Sequence, residues 1–68
     1  MSYPQAYDPQ DGYRFQILTM SPYDRAYEHC DYAKDKTEKE YLLGEYRLAY
    51  GPSFTFKVIE LPKKYWPL

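Results

Sequence analysis

Residues Thr37 to Leu61, TEKEYLLGEYRLAYGPSFTFKVIEL, contain a helix start, a helix stop and a strand in succession, and the rest of the chain is read from them. Thr37 and Glu40 form a capping-box pair, in which hydroxyl and carboxylate each satisfy a backbone N–H that a helix start leaves unbonded. Tyr41, Leu42, Leu43, Tyr46, Ala49 and Tyr50 then recur at helical spacing, with Glu38 and Glu40 at the positive end of the helix dipole and Arg47 at the negative end. Gly51 can adopt the left-handed conformation that ends a helix and Pro52 cannot continue one, so the spacing predicts a helix over 38–50. Beyond the stop, Phe54, Phe56 and Val58 alternate with Thr55 and Lys57, which predicts a strand that Leu61-Pro62 ends.

Upstream, Tyr13 to Met20 (YRFQILTM) alternates Tyr13, Phe15 and Ile17 with Arg14 and Gln16 and becomes apolar on both sides at Leu18 and Met20. This reads as a strand. Ser21, Pro22 and Asp24 stand at the positions of an N-cap, a first helical residue and a capping acid, and Tyr23, Ala26, Tyr27, Cys30 and Ala33 follow as one apolar stripe. A second helix is therefore expected over 22–34, with the mixed-charge stretch DYAKDKTEKE as a solvated connector.

The resulting fold class is α+β in the order strand, helix, helix, strand, a short sheet covered by two helices. A rival order, strand, helix, strand, strand, takes Glu45 to Tyr50 as a strand and Gly51-Pro52-Ser53 as a hairpin turn. The capping box and the Gly-Pro stop favour the helix. Phe15, Ile17, Tyr27, Cys30, Leu42, Tyr46, Phe56 and Val58 are the expected core.

A chain of 68 residues allows one domain, here residues 13–68 with an aromatic tail at 62–68, preceded by a proline-containing flexible segment at 1–12. A domain this small buries only about 60% of the surface its unfolded chain exposes, so its core is shallow. Ten Tyr, three Phe and one Trp must supply much of that core, and tyrosine rings favour its boundary, where the hydroxyl stays wet. A net charge of −1 offers no overall attraction to phosphate backbones or anionic membranes. One cysteine excludes an internal disulfide framework, and no apolar run reaches membrane-spanning length; the expected compartment is the reducing cytoplasm.

Motifs for chemistry are missing. His29, Glu28, Cys30 and Asp31 are sequence neighbours, and on a helix they cannot converge on one ion or make a thiol–imidazole pair. No paired-cysteine or His-Glu-x-x-His zinc pattern and no glycine-rich phosphate loop occurs. The sequence therefore points away from an enzyme, and towards no cofactor and no metal. Two binding functions remain. One is a protein-interaction module, a regulator or inhibitor of the kind phages and mobile elements encode, that holds a larger protein through tyrosine-rich surface, an open strand edge and the tail. Its expected contacts are Tyr50, Lys63, Lys64, Tyr65 and Trp66, since aromatic residues dominate binding hot spots. The other is single-stranded nucleic-acid binding by stacking on Phe54 and Phe56, which residues 41–68, with four bases against two acids, support only weakly. With two strands and open edges, a homodimer is also expected.

Overall fold

The computed structural model describes residues 6–68. Three strands, β1 (Phe15–Met20), β2 (Glu28–Ala33) and β3 (Thr55–Glu60), one helix α1 (Lys36–Tyr50) and a closing 3-10 turn, Lys63–Tyr65, follow in the order β-β-α-β. The sheet is antiparallel with β1 at its centre, in the order β2-β1-β3. Strands β2 and β3 both oppose β1, so they run in the same direction, and α1 joins them by crossing over the strand between.

The single helix corrects the expected pair. The cap expected at Ser21 does form: the Ser21 hydroxyl hydrogen-bonds the Asp24 carboxylate at 2.8 Å and accepts the Tyr23 N–H at 3.3 Å. It closes a turn only, since Asp24 N–H bonds Ser21 C=O across 3.2 Å and no helix continues from it. Residues 28–33 go instead to the edge of β1. The reason lies in β1, whose two faces are both apolar enough to need cover: Phe15 and Ile17 are buried on one, Leu18 on the other. Its faces are covered by α1 on one side and residues 6–13 on the other, while β2 and β3 pair with its two edges.

Helix α1 ends as expected and starts slightly earlier. Asp35, not Thr37, is the N-cap: its carboxylate accepts the Glu38 N–H at 2.8 Å, and Glu38 in turn accepts the Lys34 N–H at 2.8 Å. The reciprocal logic of the capping box is thus met by Asp35 and Glu38, next to the end of β2. At the other end Gly51 takes φ +86° and returns its N–H to Arg47 C=O at 3.0 Å. Helix through Tyr50 also removes the rival reading of 45–50 as a strand.

Residues opposite one another in neighbouring strands share a face of the sheet. Phe15, Ile17 and Thr19, with Ala33 and Asp31 of β2 and Phe56 and Val58 of β3, face α1; Gln16 and Leu18, with Tyr32, His29, Lys57 and Ile59, face away. The pairing to β2 slips by one residue between Ile17 and Leu18, so Cys30 is the extra residue of a bulge. The Cα envelope is only 11 Å thick, one sheet and one helix deep, so few side chains can be enclosed from all sides. Ala6, Phe15, Ile17, Leu18, Ala33, Leu43 and Leu61 are buried, with Gln16 and Thr19 among them. Of the expected core only Phe15 and Ile17 are fully covered. Tyr27, Cys30, Leu42, Tyr46, Phe56 and Val58 are half-exposed, because α1 packs over β1 and β2 and leaves the helix-side face of β3 partly open.

The far face is covered by residues 6–13. Gln16 is the anchor: its amide nitrogen donates to Ala6 C=O, and its amide oxygen accepts the Asp8 N–H at 3.2 Å. Tyr32 donates its hydroxyl to Asp8 C=O at 2.5 Å and stacks on Tyr13, with ring centres 5.0 Å apart. Tyr3 and the rest of 1–5 lie outside the described residues.

Candidate partner-binding surface

The outer edge of β3 follows from its register. Leu61 N–H bonds Arg14 C=O at 2.8 Å, and hydrogen-bonded pairs alternate along an antiparallel ladder, so residues 55, 57, 59 and 61 turn their backbone groups to β1. Phe56, Val58 and Glu60 therefore turn their N–H and C=O groups outward. No strand pairs with that edge among the described residues.

Beside this edge lies a row of aromatic rings. Tyr50, the last residue of α1, is 41% exposed, and its ring centre stands 5.1 Å from Phe54, 5.9 Å from Phe56 and 5.8 Å from Tyr46. The helix stop at Gly51 and the short return through Phe54 bring these rings together. Phe56 and Val58 continue the apolar surface along the strand, half-exposed because the helix packs mainly on β1 and β2 and touches Phe56 only through Tyr50. On the far face Lys57 extends over the Tyr27 ring, 5.8 Å from its centre. Strand β3 therefore presents Phe56 and Val58 on its helix-side face and Lys57, next to Ile59, on the other.

The tail is built into the domain. Tyr65 C=O accepts the N–H groups of Gly12 at 2.7 Å and Tyr13 at 3.1 Å, and Trp66 donates its indole N–H to Leu61 C=O at 2.6 Å. The Arg14 guanidinium lies 4.3 Å from the Trp66 ring centre and 3.0 Å from the Glu60 carboxylate. Tyr65 and Trp66 are half-buried, whereas Lys63 and Lys64 are exposed at the end of β3. Of the five residues expected to touch a partner, Tyr50 lies beside the open edge and the two lysines extend past its end, while Tyr65 and Trp66 hold the tail in place. Lys57 and Val58, which were not among the five, also lie on this edge strand. The alternation of residues 54–58 carried that signal, but only the position of β3 at the edge of the sheet gives it meaning.

The groups that bear on chemistry are dispersed. His29 faces away from the helix, with Nδ1 3.1 Å from the Gln16 amide nitrogen. Cys30 lies on the bulge, where burial first and the Asp31 charge second push its thiol pKa up, against a hydrogen bond from Tyr50. A thiol held protonated is a poor nucleophile. Ala6 and Asp24 to His29 line an open concavity of about 600 Å³. No group of three metal-ligating side chains occurs among the described residues, and no described helix is long and apolar enough to cross a membrane.

Asp31 has a structural task. Its carboxylate accepts the Tyr46 hydroxyl at 2.7 Å with one oxygen and the Tyr32 N–H at 2.7 Å with the other, linking α1 to β2. The Asp31 hydrogen bond first, and burial second, hold the Tyr46 phenol well above the ordinary tyrosine value of 10.0. A raised pKa means the folded state binds the proton more tightly, so this stability is fully present below pH 10 and lost as pH rises beyond it. Alkaline titration at 295 nm should show Tyr46 ionising well above pH 10, coupled to unfolding, and Tyr46→Phe should remove that step. An unchanged titration curve in the variant would show that the Asp31 bond does not hold the proton.

No protein-family model, curated protein or solved structure matches the chain.

Proposed function

We propose that this protein is a small, non-enzymatic interaction module, a regulator or inhibitor that binds a larger protein along the open edge of β3. The observation that carries the reading is the coincidence of two exposed features on one strand. Phe56, Val58 and Glu60 direct unpaired backbone groups outward, and the Phe56 and Val58 side chains, flanked by Tyr50, remain half-exposed beside them. Extended segments bind such edges by adding a strand, with affinity from main-chain hydrogen bonds and selectivity from alternate side chains. A small protein that kept this edge without a use for it would carry an aggregation hazard.

The test uses two variants that leave the β1 ladder intact. Val58→Pro removes an outward N–H, which an edge strand tolerates, and Tyr50→Ala removes the central ring at the end of the helix. Affinity capture from nuclease-treated lysate of the source cell should recover a protein with the parent chain. Both variants should bind it about a hundredfold more weakly while keeping the parent's circular dichroism. Equal binding by parent and variants would refute the edge as the contact. Loss of every partner on nuclease treatment would point to the stacking of single-stranded nucleic acid instead.

A further inference from the structure

We infer that the segment which pairs with β3 is acidic: an extended stretch of a partner protein with carboxylates alternating with apolar side chains. The inference rests on the reading of the β3 edge as the binding site and adds the chemistry of what binds there.

Charge is divided across this sheet. Residues 41–68, which contain β3, hold four basic side chains (Arg47, Lys57, Lys63 and Lys64) against Glu45 and Glu60. Glu60 is already engaged by Arg14 at 3.0 Å, so its charge is largely answered within the domain. Lys57 lies on the strand itself, and Lys63 and Lys64 follow where the strand ends, all three exposed. Residues 1–40, which contain β2, hold eight acids against five bases. Strand β2 itself carries Glu28 and Asp31 and no lysine or arginine, and the Cys30 bulge interrupts its ladder. An acidic strand is repelled from β2 and drawn to β3.

The same charges argue against a second copy of the chain. In an antiparallel pairing of β3 with itself, opposed residues must share a face, so the two-fold axis passes through a residue position. An axis through Lys57 sets the two lysines opposite each other; an axis through Phe56 or Val58 sets them diagonally adjacent on one face. Like charges at these positions destabilise the pair. A partner strand with carboxylates on the Lys57 face turns the repulsion into attraction. Its apolar residues, on the other face, lie beside Phe56 and Val58.

Two synthetic octapeptides, blocked at both ends, test this: one alternating Glu and Val, the other alternating Lys and Val. Each is titrated into the full-length, isotope-labelled chain while backbone amides are followed by NMR. The Glu-Val peptide should shift the amides of Phe56, Val58 and Glu60 and bind about tenfold more tightly than the Lys-Val peptide. Lys57→Glu, a surface change that leaves the fold intact, should abolish or reverse the preference. If the Lys-Val peptide binds equally well, the acidic partner is refuted while the edge stands. If neither peptide shifts β3 amides, the edge reading falls too. If those amides shift with protein concentration alone, the second strand is another copy and the inference is overturned.

Discussion

Ile17→Ala should be the most destabilising truncation in the chain and should remove a large part of its stability at room temperature. Ile17 has no exposed surface, sits at the middle of the central strand, and is flanked on the helix-facing side by Asp31 of β2 and Val58 of β3. Truncating a fully buried isoleucine costs about 2–5 kcal/mol, part from lost burial and part from the cavity that remains. A 68-residue domain commands about 3–10 kcal/mol in all. The core is one helix and one sheet deep, so little surrounding structure can collapse into the void. Val58→Ala, on the same face but half-exposed, should cost about 1 kcal/mol and leave a cooperative transition. Urea melts followed by far-UV circular dichroism separate the two, and a parent-like midpoint for Ile17→Ala would mean that the core lies elsewhere.

Gln16→Ala should be the next most damaging change, and its effect should be local in a way that Ile17→Ala is not. The side chain is fully buried and its amide joins Ala6, Asp8 and His29 through three hydrogen bonds. At about 1 kcal/mol for each neutral bond, about 2–3 kcal/mol is lost. The loss falls on the attachment of residues 6–13 to the far face of the sheet. Hydrogen exchange at Asp8 should quicken strongly while amides of β1 and β3 that face each other stay slow. Gln16→Met, which keeps the volume and removes the bonds, should reproduce most of the effect. Unchanged exchange at Asp8 in both variants would show that the segment is held by something other than this amide.

These two positions also show why part of the fold could be read in the sequence and part could not. Helix α1 was legible because every local term agrees there: acids first, Arg47 and Gly51 last, and an apolar stripe between. Both strands that flank Ile17 in the register were not equally so. Strand β3 alternates cleanly, but residues 28–33, EHCDYA, place polar residues on both faces and include a bulge, so no period of two survives. The stripe from Tyr23 to Ala33 satisfied a helical period by coincidence, and the Ser21 turn imitated a cap because caps and turns use the same side-chain bonds. The deciding information was in β1. A strand with Phe15 and Ile17 buried on one side and Leu18 on the other needs cover on both faces and is best shielded between two other strands, a tertiary preference that local propensity at 22–34 does not register.

The candidate site divides along the same line. Tyr50 and the lysines were visible as aromatic and cationic residues near the C-terminal end, whereas the part Tyr65 and Trp66 play in holding the tail was not. Only the bonds to Gly12, Tyr13 and Leu61 reveal that they fasten the tail. The burial expected for Phe56 failed for a topological reason: the helix spans β1 and β2, and the third strand extends past its cover.

The pairing of β1 with β3 also sets a timetable for synthesis. Phe15 finds its neighbour in Glu60, so the strand at the centre of the sheet waits for one made 45 residues later (60 − 15). At translation speeds of about 5–20 residues per second, that interval lasts seconds, whereas a hairpin forms in about 1–10 μs. The pairing of β1 with β2 closes over 9 to 18 residues and that with β3 over 35 to 45, so the β3-facing edge of β1, next to Ile17 and Leu18, is the entropically costlier side to fill. Folding of this domain therefore turns on a long-range closure, because one of the two ladders of its central strand joins residues 35 to 45 positions apart.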